Sequence, residues 1–233
     1  MASPPPVTYL IWSSVLVCVI ATVLSAYVIY RRDSRSQEHL FFALFLVGLG
    51  GYVLFYLFLQ DPALKDFSYA PQMVAASLAI FGLFSFYYSL AHGGQIPQKI
   101  LLGAGISLTL PPLLNLIFHP YGFIEEWYGF ELNIEFWYLT LITTIYLIFS
   151  FYAILGLFWI YLKSENTILR RKILFIFSGL IIMCIFGIIF FAIVPIFFNI
   201  HFLKPVGYFM MAIGVIIMIY AFPARPANKE IYP

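Results

Sequence analysis

The run FWYLTLITTIYLIFSFYAILGLFWIYL, residues 136–162, contains no Asp, Glu, Lys or Arg. A bilayer core about 30 Å thick is crossed by about 20 apolar residues, so a run of this length spans it with tilt or with some projection beyond the hydrocarbon. Working outward from it, six further stretches lack charge over a comparable length: Thr8 to Tyr30, Leu40 to Gln60, Ala70 to Ala91, Ile100 to His119, Ile173 to Phe198 and Val206 to Phe222. Helices satisfy their own backbone polar groups when exposed to lipid. A membrane barrel instead needs segments of about ten residues alternating apolar and polar, a pattern not found here. The expected fold is therefore all-α: an integral membrane bundle of seven transmembrane helices over residues 1–224, with a short cytoplasmic tail over residues 225–233.

Composition points the same way. Hydrophobic residues make up 63% of the chain and charged residues 9%, against about a quarter charged in soluble domains, so the apolar surface exceeds what a soluble core hides. Residues 1 to 9 carry no Lys or Arg, which separates the first span from a cleaved secretory signal. Ten of the twelve Lys and Arg fall on one side of the spans: Arg31, Arg32, Arg35, Lys99, Lys163, Arg170, Arg171, Lys172, Arg225 and Lys229. Only Lys65 and Lys204 fall on the other. By the positive-inside bias the N-terminus is outside, the C-terminus is cytoplasmic, and the protein is multi-pass in the plasma membrane. Trp12, Trp127 and Trp137 anchor the outer boundary, and Tyr30, Trp159 and Tyr161 the inner one.

Several function classes are disfavoured. No Asp, Glu, Lys or Arg lies mid-span, where each costs about 2.5 to 3.5 kcal/mol even on a lenient scale, so a carboxylate-driven pump or proton-coupled exchanger is not expected. The seventh span has no central lysine for a retinal Schiff base. No basic stripe with interleaved aromatics suggests nucleic acid. Nucleophile elbows, phosphate loops and metalloprotease helices are missing, so neither an enzyme, nor a catalytic residue, nor a cofactor is expected. His119 and His201 with Glu131 or Glu135 have suitable ligand chemistry for zinc, but their spacing fits no compact metal motif.

What remains is packing and a candidate pocket. Ser14, Cys18, Thr22 and Ala26 recur every four residues, which puts four small side chains on one face of helix one for close helix approach. Pro111 and Pro112 interrupt hydrogen bonding in the fourth span, and Pro195 does so in the sixth. Polar residues collect toward the outside, and Gln72, Asn115, His119, Glu131, Glu135, Thr140, Thr144, Asn199 and His201 are the candidate ligand-binding residues of a pocket formed by helices four to seven. Glu125 to Leu132 mixes acids with aromatics and reads as a short amphipathic element on the outer interface.

The order of features resembles the seven-helix sensor region at the N-terminus of microbial histidine kinases. The resemblance is carried by Arg31-Arg32 after helix one, Glu135-Phe136-Trp137 opening helix five, Arg170-Arg171-Lys172 ahead of Phe177-Ser178-Gly179, and Pro205-Val206-Gly207-Tyr208 opening helix seven. In that family a coiled-coil linker and kinase domains follow helix seven, whereas this chain stops. The resemblance thus implies a sensor of a small or apolar ligand that signals through a cytoplasmic partner at Arg170, Arg171 and Lys172. Two other readings stand beside it: a small neutral-solute transporter, which pseudo-symmetry between helices one to three and five to seven would favour, and a membrane subunit of a larger complex. The partners expected are the lipid bilayer, a signalling protein and a homodimeric copy.

Overall fold

A computed structural model describes residues 6–59, 61, 63–94, 96–126, 129–188 and 204–223. Seven helices and one hairpin occupy them: α1 (Pro6–Arg32), α2 (Gln37–Leu59), α3 (Lys65–Ala91), α4 (Gln98–Phe118), β1 (Tyr121–Glu126), β2 (Gly129–Ile134), α5 (Phe136–Lys163), α6 (Thr167–Ile188) and α7 (Lys204–Ile219). Five of the helices, α1 to α5, are long and apolar enough to cross a membrane. Their outer faces carry large apolar side chains, such as Ile106 on α4 and Leu147, Ile148 and Phe151 on α5, all more than 60% exposed. Water would penalise such a surface and hydrocarbon accepts it, so the chain is a multi-pass helical membrane protein.

Local chemistry sets the helix ends. Asn166 opens α6 by accepting the amides of Ile168 at 2.9 Å and Leu169 at 3.2 Å through Oδ1, which satisfies two of the orphan donors of the first turn. At the end of α3 the Gly94 amide reaches back to the Ser89 carbonyl at 2.8 Å. Gly93 has φ +62°, the left-handed conformation this closure needs and glycine adopts without strain. Arg31 and Arg32 sit in the last turn of α1, where cations complement the helix dipole.

The main packings run α1 to α2 to α3 to α5 to α6 to α7 and back to α1, with α4 outside this ring against α3 and α5. Alternating directions put the hairpin at one end and the basic turns at the other. Near the basic end a continuous core joins Ile29 of α1, Phe42 of α2, Phe86 of α3, Leu157 of α5, Ile173 of α6 and Met218 of α7; no α4 residue belongs to it. Ser14, Cys18, Thr22 and Ala26 are all buried within the chain. A Cβ on Gly50 would strike Thr22 Oγ1, so that face of α1 lies tight against α2.

The hairpin departs from the sequence reading. Residues 121–126 and 129–134 pair antiparallel, with Tyr121 opposite Ile134 and Glu126 opposite Gly129, where a short amphipathic element was expected. Phe130, Leu132 and Ile134 alternate with Glu131 and Asn133, which is the two-residue period of a half-buried strand. Six residues of it are too few to register in a search for apolar runs of membrane length.

Candidate functional site

Within the ring, toward the hairpin, the chain collects tyrosines. Tyr69, on α3 and only 1% exposed, has Tyr138 and Tyr146 of α5, Tyr52 of α2 and Tyr121 of β1 nearby. Tyr208 of α7 is hydrogen-bonded to Tyr56 of α2 and interacts with Tyr52 and with Cys18 of α1. The Tyr146 hydroxyl meets that of Ser77 at 2.8 Å and donates to the Met73 carbonyl at 3.3 Å. Tyr138 donates to the Pro111 carbonyl at 2.8 Å and so ties α5 to the proline pair of α4.

Among the described residues toward the hairpin, three side chains have unmatched polar atoms: the Tyr69 hydroxyl, Gln72 Oε1 and both carboxamide atoms of Asn115. Gln72 Nε2 reaches the Tyr52 carbonyl only at 3.5 Å. Each unmatched buried group costs about 1 to 3 kcal/mol. Against this, Tyr52 retains 39% of its surface accessible although its electrostatic partners come from α3, α5 and α7.

Of the residues proposed from sequence, Gln72 sits at this junction, and Asn115 is buried on α4 facing its neighbours, α3 and α5. His119, Glu135, Thr140 and Thr144 are not brought to it. His119 ends α4 with φ 46°, exposed, its ring 6.3 Å from that of Tyr121. Glu135 is exposed and accepts the Trp137 indole N–H at 2.5 Å. Thr140 and Thr144 point away from the bundle, their hydroxyls donating to the carbonyls one turn back, Phe136 at 2.8 Å and Thr140 at 2.7 Å, so the helix absorbs their polarity. Asn199 and His201 lie outside the described residues, as does the side chain of Glu131, whose backbone pairs with Ile124. Of the four helices expected to form the pocket, α4 lies against α3 and α5 outside the ring, and residues 189–203 lie outside the described residues. Sequence reasoning missed Tyr52, Tyr69, Tyr138, Tyr146 and Ser77. The available signal was Tyr69, Gln72, Met73 and Ser77 at helical spacing along one face of α3.

The hairpin covers this end. Tyr121 packs edge-on against Tyr69 with ring centroids 4.6 Å apart. Its phenol is raised above the ordinary value, mainly by burial and further by the Asp66 carboxylate. Two shallow depressions lie elsewhere, one along the outer face of α4 at Leu102 and Ile106, the other among Asp33, Arg35 and Glu38 at the basic end.

At the basic end a second network ties the helices together. Arg32 donates to the Ile219 carbonyl at 2.9 Å and to that of Phe222, capping α7 from α1. Lys172 pairs with Glu38 of α2 and lies 4.7 Å above the Phe222 ring. It is therefore committed within the chain, unlike Arg170 and Arg171, which are exposed and stack on Tyr161 and Phe175 at 5.1 and 5.6 Å. Among the described residues no three of His, Cys, Asp and Glu gather as a metal site would require. Comparison with protein-family models and with curated proteins found no match.

Proposed function

We propose that the chain is a seven-span sensor of the plasma membrane, N-terminus outside, that takes a small ligand into the tyrosine-lined interior beneath the hairpin and signals through a cytoplasmic partner. The supporting observation is the set of buried, unmatched polar atoms at Tyr69 and Gln72 beside an accessible Tyr52. The distribution of Lys and Arg supports the orientation, since it puts the hairpin outside and the Arg32–Glu38–Lys172 network inside. Both α3 and α5 run from the tyrosine cluster to that network. A ligand preferring one packing of these helices thus shifts the inner face, with exposed Arg170 and Arg171 as the partner contact.

Spin labels at Ser36→Cys and Glu165→Cys, in a background with Cys18 and Cys184 replaced by alanine, report the separation of the two inner turns. A ligand-dependent change in that distance is expected. An unchanged distance with ligand bound would remove the sensing reading.

A transporter of small neutral solutes is the second reading. One observation favours it: α2 crosses α3 through Gly48 and Gly82, and α6 crosses α7 through Gly179 and Gly214, with α4 set apart between the two halves. Solute flux in proteoliposomes without a change in label distance would select it.

A further inference from the structure

Between Phe136 and Ile188 the chain holds four cations, Lys163, Arg170, Arg171 and Lys172, against one carboxylate, Glu165. Lys172 is committed to Glu38. The other three are exposed around the turn from α5 to α6, and each lies over an aromatic ring: Lys163 over Trp159 at 4.2 Å, Arg170 over Tyr161 at 5.1 Å and Arg171 over Phe175 at 5.6 Å. A ring attracts a cation without neutralising it and leaves its N–H groups able to donate. These side chains are therefore held in place before a ligand arrives, which lowers the ordering cost of binding, while their charge is opposed locally by Glu165 alone. The surface beside them is apolar: Trp159, Leu162, Ile168 and Leu174 are each half or more exposed. A soluble anion would meet the charges and leave that border uncovered. An anionic phospholipid meets both, its phosphate at the cations and its acyl chains along Leu162, Ile168 and Leu174.

We propose that Lys163, Arg170 and Arg171 form a binding surface for an anionic phospholipid of the bordering leaflet, the inner one in the orientation given above. The guanidinium and ammonium N–H groups donate to phosphate oxygens in charge-assisted hydrogen bonds. Lipid binding here does not require sensing, and a cytoplasmic partner approaching Arg170 and Arg171 competes with the bound headgroup.

The test uses the full chain in nanodiscs of mixed phosphatidylcholine and phosphatidylglycerol, with Trp12, Trp127 and Trp137 replaced by phenylalanine so that Trp159 is the one tryptophan. Brominating the acyl chains of one lipid or the other quenches Trp159 in proportion to that lipid's occupancy beside it. One cation near an anionic surface raises affinity about fivefold, so phosphatidylglycerol is expected to be preferred by at least that factor. Lys163→Gln with Arg170→Gln and Arg171→Gln should abolish the preference. Arg170→Lys with Arg171→Lys, which keeps the charge, should retain most of it. Arg31→Gln with Arg35→Gln, at the turn from α1 to α2, should leave it unchanged. Raising salt to about 1 M, where screening reaches about 3 Å, should reduce it in the chain with Lys163, Arg170 and Arg171 intact, a readout independent of how the variants fold. Equal quenching by both lipids, a preference untouched by the triple substitution or by salt, or an equal loss in the Arg31 and Arg35 variant would overturn the site, the last by showing a field spread over the whole basic end. Relief of quenching by millimolar glycerophosphoglycerol would overturn the lipid assignment in favour of a free phosphodiester.

Discussion

Replacing Gly82 by alanine tests the tightest feature of the bundle, the crossing of α2 and α3. The added methyl would collide with the Phe45 amide nitrogen and lie 2.8 Å from both the Phe41 carbonyl oxygen and Phe45 Cα. Ordinary separations are about 3.3 to 3.6 Å for carbon to oxygen and about 3.5 to 4.0 Å for carbon to carbon, so the helices must part by roughly 0.7 Å. The obstructing atoms are backbone and cannot rotate aside. A gap of that size forfeits about a quarter to a half of the local dispersion energy, and overpacking of this kind costs about 3 kcal/mol at its upper end. Alanine returns about 1 kcal/mol through its better helix propensity. The net loss is about 2 kcal/mol. Gly103→Ala on α4 is the control, because its Cβ would meet nothing within 4 Å and only the gain of about 1 kcal/mol remains. Unfolding of purified protein in mixed dodecylmaltoside and SDS micelles should therefore move in opposite directions for the two variants. Stabilisation of both by the same amount would refute the close crossing.

Arg32→Met removes two charge-assisted hydrogen bonds to the end of α7 and should lower stability by about 2 kcal/mol, with hydrogen exchange rising first at the amides before Phe222. Asn166→Ala, which deprives Ile168 and Leu169 of their acceptor, should cost about 1 kcal/mol, and Asn166→Asp should recover most of it in the same unfolding assay. The raised Tyr121 phenol contributes stability that is complete below the unfolded value of about 10 and is lost as pH rises through the folded one, because the unfolded chain releases its proton first. Tyr121→Phe should flatten that alkaline limb, and Asp66→Asn should bring the Tyr121 phenolate absorbance transition down toward the ordinary value; no movement in either would remove the burial of Tyr121 from the account.

The helices were legible because hydrocarbon asks only for length without charge, a property that can be counted along the chain. Their ends were less so. The sixth span was expected to begin at Ile173, yet α6 begins at Thr167, because Asn166 starts a helix as soon as its side chain caps the first amides and Arg170 to Lys172 are then carried on helical turns outside the apolar stretch. The third shows the same offset, Ala70 against Lys65. The hairpin was hidden for the opposite reason, since its evidence lies in alternation over six residues and its sheet order depends on a partner strand.

The interior was harder to read because lipid removes the signal that marks it in soluble proteins. A helix packed in water shows its buried face as an apolar stripe; α5 is apolar all round, so Thr140 and Thr144 seemed as plausible an inward face as any. The structure shows that a threonine on a helix settles its hydroxyl on the preceding turn and can face lipid at little cost, whereas a glutamine or asparagine carries two polar ends and is not satisfied that way. Gln72 and Asn115 were accordingly the two expected site residues found buried. Tyrosine misleads in the other direction, being read as an interfacial anchor when its hydroxyl is equally suited to bonds between helices, as with Tyr138 and Pro111 or Tyr146 and Ser77. Carboxamides and tyrosines at one-turn spacing within a charge-free span thus mark an inward polar face better than hydroxyl-bearing threonines do. Tyr69 with Gln72 is the pair in this chain on which that rule stands or falls.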